Sequence, residues 1–289
     1  MGFDWRSVDD ETMEAHFNPR VAVPGAMDLL AEYQAKAVAA RAEIKGWYDL
    51  RYGPGELETY DVHAPMVDTL GHPAPMLVFI HGGYWRLLDK SDHSWVAPPL
   101  VDAGVLVVNL NYDLCPAVSL DDIVEQARRA IVHLHGAAAQ FSADPARIFI
   151  AGHSAGAHMA AMLLNHDWEA DGLPADVIKG AVCVSGIYEP AAVMRISVNE
   201  EVRLDEATAA RNDCLAQPIR PVPVVVAVGG DEPEGWRQQS LDYAEACRDA
   251  GCATELMVVD GANHFTVAET MCDPGSALFQ ALMARIKAA

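Results

Sequence analysis

One stretch, residues 147–158, constrains this chain more than any other: Arg-Ile-Phe-Ile-Ala-Gly-His-Ser-Ala-Gly-Ala-His. Ile148, Phe149, Ile150 and Ala151 make the continuous apolar run expected of a strand buried on both faces. From Ala155 onward the composition is that of a helix. Between them, Gly152-His153-Ser154-Ala155-Gly156 fits the pattern G-x-S-x-G, and strand–turn–helix is the context that pattern needs. A turn this tight leaves the serine hydroxyl clear of the backbone at the strand's carboxyl end. Glycine two residues before and two after removes the Cβ atoms that would collide there.

The rest of the chain repeats the alternation. Apolar runs at 76–80, 105–110, 180–185, 223–228 and 254–259 alternate with helical patterns at about 120–139, 155–165, 236–250 and 274–287. That order predicts an α/β fold with a mostly parallel central sheet flanked by helices. Short strands at 48–51 and 57–62, separated by Gly53-Pro54-Gly55, read as an antiparallel pair. Ahead of them, residues 1–23 read as irregular, and 26–45 as a helix closed by Gly46 as its C-cap. This N-terminal helical extension, 1–46, is expected to pack on the main body, either beside the site entrance or as plain structure. Residues 188–221, helical at 200–211, exceed an ordinary connection and are expected to be a small substrate cap. No repeat or low-complexity linker divides the chain, so residues 1–289 are read as a single domain.

A serine hydroxyl needs a base, usually a histidine oriented by a carboxylate. Downstream of Ser154, Asp231 follows the run ending in Val228-Gly229-Gly230, and His264 follows the run ending at Val259. Ser154, Asp231 and His264 are therefore the expected catalytic set, in the chain order this architecture uses. Glu232 could replace Asp231 by a one-residue shift, while Asp260 is too near His264 along the chain to be preferred. Oxyanion donors are expected from Ala155 and from Gly82 and Gly83 in His81-Gly82-Gly83-Tyr84-Trp85. Tyr84, Trp85 and His158 are the expected substrate-binding residues. His81, His153 and His158 lack acidic or cysteine partners at ligand spacing, so neither metal nor cofactor is expected. His133 and His135 lie on a helix and read as surface or core residues.

Charge narrows the partners. With 41 acidic against 20 basic residues, the formal net charge is −21, which repels phosphate backbones and anionic membranes. The expected partner is a small-molecule substrate, not nucleic acid or membrane, and a homodimer is allowed for. No apolar run approaches the roughly 20 residues that span a bilayer. The first residues do not pattern as a secretory signal. Six cysteines without C-x-x-C pairs read as reduced thiols. These points together predict a cytoplasmic location.

Taken together, Gly152–Gly156, His81–Trp85, Asp231 and His264 resemble the α/β-hydrolases of the esterase/lipase branch, over roughly residue 57 to the C-terminus. Many of those esterases carry a third glycine where this chain has Tyr84-Trp85. The pattern H-G-G-x-W with G-H-S-A-G-A-H is similar to the arylformamidases (kynurenine formamidases), which hydrolyse N-formyl-L-kynurenine to kynurenine and formate. Asn111-Tyr112-Asp113-Leu114-Cys115-Pro116 departs from the Y-R-L-A-P of the hormone-sensitive-lipase relatives. The resemblance implies acyl transfer through an acyl-serine on a small acyl-aryl amide. A carboxylesterase on small acyl or aryl esters is the alternative, and a hydrolase-fold binding protein without turnover is a third reading.

Overall fold

In the computed structural model, which describes residues 2–65 and 73–289, eight strands form one sheet. They are β1 (Gly46–Arg51), β2 (Thr59–His63), β3 (Ala74–Ile80), β4 (Leu106–Leu110), β5 (Ala143–His153), β6 (Ile178–Val184), β7 (Val224–Gly229) and β8 (Thr254–Val259). Their order across the sheet is β1-β2-β4-β3-β5-β6-β7-β8. β1 and β2 pair antiparallel, as do β2 and β4; every other pairing is parallel. β5, carrying the elbow, is thus central, between β3 and β6.

The continuous apolar runs have a simple physical origin. Alternate residues of β3 serve two different cores: Met76, Val78 and Ile80 face one, Leu77 and Phe79 the other. β7 divides in the same way, with Val224 and Val226 on one side and Val225 and Ala227 on the other. Only apolar side chains satisfy both faces at once. The edge strands β1 and β8 show mixed exposure along their length instead. The helix Leu120–Ala137 buries Ile123, Ala127, Ala130, Ile131 and Leu134, a 3.6-residue stripe, against the first core. Ser119 starts it in a reciprocal capping box with Asp122.

Two expectations about the N-terminal region are corrected. Residues expected to be irregular include a helix, Asp10–Phe17, whose N-cap Asp9 accepts from the Thr12 N–H. Asn18 then caps the short turn Pro19–Ala22, which has proline in its first positions. The long helix runs Ala26–Glu43 and ends at Ile44, not at a Gly46 cap. Gly46 opens β1, where a Cβ would lie 2.5 Å from the Val62 carbonyl oxygen. The glycine serves a close cross-strand approach rather than a helix end.

The same region is sewn onto the body. Met13 and Phe17 are fully buried, and the Phe17 ring lies 6.1 Å from that of Trp236. Arg195 donates to the carbonyls of Trp5 at 3.0 Å and Val8 at 2.7 Å, and Glu14 accepts from the Ser197 amide at 2.8 Å. Replacing Phe17 with alanine should therefore cost about 3–5 kcal/mol of unfolding free energy, read by chemical denaturation. A loss below about 1 kcal/mol would mean that the segment only lies on the surface.

Candidate active site

β5 delivers Ser154 into a backbone conformation that L-residues rarely adopt, φ 57° and ψ −119°. Such a conformation costs on the order of 1–3 kcal/mol and persists only where the surroundings impose it. Here they do. A Cβ on Gly152 would sit 2.2 Å from the Gly156 carbonyl oxygen, and one on Gly156 would sit 2.0 Å from that of Ile80. The Ser154 amide donates to the Val184 carbonyl at 2.9 Å, tying the elbow to β6.

Ser154 and His264 meet, with Oγ 3.1 Å from Nε2. On the other side of the ring, His264 Nδ1 lies 2.7 Å from Glu232 Oε2. An ionised carboxylate only accepts, so Nδ1 carries the proton and Nε2 is left to accept from the serine hydroxyl. Glu232 is held from behind: its Oε1 accepts from the Gly229 amide at 2.7 Å and from the Ser185 hydroxyl. Ser185 and the Glu232 side chain are fully buried. His153, beside the serine, donates from Nε2 to the His264 carbonyl at 2.7 Å and so pins the loop that carries the base. Burial, followed by its proximity to His264, holds the His153 imidazole well below the usual histidine range, so it stays a neutral donor.

The expected orienting carboxylate, Asp231, is corrected to Glu232. β7 ends at Gly229, and the turn that follows is closed by Glu232 N–H to Gly229 O at 3.3 Å. This turn sends Asp231 into solvent, its amide bonded to Ala262 O at 3.0 Å, and returns residue 232 to the interior. Asp260 is also exposed.

The loop after β3 lies directly against the nucleophile: a Cβ on Gly82 would meet His153 O at 3.0 Å and Ser154 Cβ at 3.2 Å. Gly83 takes φ +109°, where a Cβ would lie 2.2 Å from Leu87 O. Ala155 begins the helix Ala155–Leu164, so its amide is one of the donors a helix start leaves free. Among the described residues, the amides of Gly82, Gly83 and Ala155 have no intramolecular acceptor. Tyr112, from the divergent segment after β4, holds this loop by donating to His81 O at 2.8 Å and stacking on the His81 ring at 4.3 Å. Asn111 accepts from His81 Nε2 at 2.9 Å.

The three expected substrate-binding residues separate. Tyr84 lines the pocket above Ser154, though its hydroxyl is spent on Phe17 O. Trp85 is fully buried with its ring 5.0 Å from that of His158, away from the pocket. His158 is fully buried too, donating to Asn212 O at 2.8 Å, so it anchors the 188–221 segment instead of touching substrate. That segment contributes only Val198 to the pocket wall; residues 18–20 and the helix Ala26–Glu43 supply more. The walls are mainly apolar and aromatic, with Leu30, Tyr33, Leu87, Trp95 and Phe265.

Sequence reasoning missed Ser185, His153, Tyr112 and the Asn18–Arg20 wall. Ser185 and His153 carry a usable signal, since each closes a buried run at the sheet's carboxyl edge. The wall residues carry none. Among the described residues no cluster of three metal-ligating side chains forms, and no helix is long and apolar enough to cross a membrane.

Buried histidines make this architecture acid-sensitive. Burial pushes His158 and His63 down to about 4. Between that value and the ordinary 6.5 the unfolded chain binds protons that the folded chain refuses. Stability is therefore full above about pH 6.5 and falls by about 1.4 kcal/mol per pH unit for each such group as pH drops toward 4. Thermal melts at pH 7 and pH 5 should show the loss, and His158→Gln should flatten the slope. An unchanged slope in the variant would exclude His158 as a contributor.

With the geometry in place, comparison with known proteins agrees. Residues 77–268 match a family model described as an alpha/beta hydrolase fold. The chain is 32% identical to a kynurenine formamidase of Salmo salar, over 96% of this chain and 97% of the relative. It is 31% identical to a kynurenine formamidase of Danio rerio, over 98% of each. A crystal structure from Silicibacter sp., provisionally named a thioesterase, superposes with a TM-score of 0.81 at 30% identity, covering 94% of this chain and 99% of that one.

Proposed function

Because this chain belongs to the α/β-hydrolase family and is an enzyme that hydrolyses amides or esters, we propose that it cleaves N-formyl-L-kynurenine to L-kynurenine and formate through a formyl-serine. The observation that carries this reading is the continuous relay Ser154–His264–Glu232 beside a glycine loop with free amides, under an aromatic-walled pocket. Near full-length likeness to the fish kynurenine formamidases supports the choice of a formamide.

Each step uses groups already positioned. His264 Nε2 takes the Ser154 proton as Oγ attacks the formyl carbon, while Glu232 stabilises the imidazolium that results. The amides of Gly82, Gly83 and Ala155 receive the developing oxyanion. His264 then delivers its proton to the anilide nitrogen, the C–N bond breaks, and the arylamine leaves. A water, deprotonated by the same histidine, attacks the formyl-serine and releases formate. Leaving-group protonation matters here because an anilide anion is a far poorer leaving group than a phenoxide.

We also place the protein in the cytoplasm, a reading supported by six free cysteines, five of them buried.

Assays of N-formylkynurenine against p-nitrophenyl acetate test the substrate. Turnover of the ester alone would leave a small-acyl carboxylesterase as the better reading. Failure of a fluorophosphonate to label Ser154 in folded protein would point to a non-catalytic binder. Ser154→Ala should abolish turnover. A second comparison separates the two neighbouring carboxylates: Glu232→Gln should lower kcat by about 10²–10⁴, while Asp231→Asn should leave it within about twofold. The reverse ranking would refute the relay.

A further inference from the structure

The pocket has the wrong charge for this protein. The chain carries 41 acidic residues against 20 basic ones, yet among the described residues no aspartate or glutamate lines the space over Ser154, while Arg20 and Arg86 do. Arg86 is committed: its guanidinium pairs with Glu201, and its side chain is 12% exposed. Arg20 is not. It is exposed, its backbone amide is fixed by Asn18 Oδ1 at 3.1 Å, and no acidic side chain pairs with its guanidinium among the described residues. The strand-like cap Asn18 and the adjacent Pro19 at the start of the turn hold its backbone in place. The turn itself is tied down by Asn18 Nδ2 to Glu14 Oε1 at 2.7 Å and by Phe17, whose carbonyl accepts from the Tyr84 hydroxyl.

A free guanidinium at the mouth of a mainly apolar pocket favours one kind of ligand: an aromatic body with a carboxylate that remains outside the reacting centre. A guanidinium can hold such a carboxylate through two parallel N–H···O bonds. A cationic group on the same ligand would find no carboxylate in the wall. Resting on the formamidase reading above, we propose that Arg20 receives the carboxylate on the leaving-group side of the substrate, so that the pocket selects aryl formamides with an anionic tail and makes no use of a neighbouring ammonium. Arg20 in this role is a specificity-determining residue. It takes no part in proton transfer.

Four compounds read this out on the full-length enzyme: N-formylkynurenine, its des-amino analogue (carboxylate only), its decarboxylated analogue (ammonium only) and formanilide (neither). In the wild type, kcat/KM for the des-amino acid should stay within about threefold of that for N-formylkynurenine, since the lost group had no charged partner. The ammonium-only compound should fall toward formanilide. Arg20→Gln should lower the ratio of kcat/KM for the des-amino acid to that for formanilide by about 10–100-fold, mainly through KM. Arg20→Lys should restore part of it, and added salt should erode the wild-type preference. A damaged fold would lower both activities together and leave the ratio unchanged, which overturns the proposal, as would an ammonium-only compound that matches the acid-only one. If the wild type cleaves none of the four, the formamidase reading fails separately. Phenyl acetate and 4-acetoxybenzoate then put the same question to Arg20: a tenfold fall in their ratio in Arg20→Gln supports it, and an unchanged ratio overturns it.

Discussion

The site depends on three stretches of backbone being allowed to touch. The first turn of the helix after Ser154 presses on the end of β3, where a Cβ on Gly156 would lie 2.0 Å from Ile80 O and 2.7 Å from His81 O. The same compression forces the serine into its unfavourable φ and brings the Gly82 loop against His153 and Ser154. Nucleophile and amide donors are thus placed by one contact, not by two independent ones. The local strain is small beside the burial that opposes it. β5 is clamped between β3 and β6, and Ile148, Phe149, Ile150 and Ala151 are all fully or almost fully buried.

Around this fixed point, the later strands supply adjustable parts. Glu232 and His264 both leave the carboxyl ends of β7 and β8 on turns, and turns can be re-aimed by single hydrogen bonds. Gly229 N–H and the Ser185 hydroxyl aim the carboxylate, while His153 aims the histidine loop through its carbonyl. Trp236 closes the assembly, its ring 4.2 Å from that of His264. Water is therefore kept from one face of the imidazole, in surroundings where the charge on Glu232 acts at low dielectric.

What was legible in the sequence follows from which constraints are local. A strand buried on both faces announces itself as an unbroken apolar run, and an elbow needs its two glycines, so β3 to β8, Ser154 and His264 could be placed from the chain alone. The choice between Asp231 and Glu232 could not, because it turns on the rotation of three residues after Gly229. Trp85 and His158 were misplaced for a related reason. Adjacency to a functional loop says nothing about which way a side chain points, and both point into the core beneath the elbow. The N-terminal helix did carry local marks, Asp9 as cap and Pro19 after Asn18. Its share in the pocket wall is a purely tertiary fact.

That wall has an unusual place in the chain's economy of contacts. Trp5 reaches Glu189 across 184 residues, Glu14 reaches Ser197 across 183, and His16 reaches Gly235 across 219. The nucleophile's scaffold is long-range too, with Gly156 pressed on the end of β3 and Ser154 meeting His264 across 110 residues, but it is locked in the middle of the sheet. A ribosome releases residues 5–20 first, yet they can dock only after residues 189–235 have emerged. The chemical machinery waits longer still, for Glu232 and His264, so the recognition wall can be in place before the serine has its base.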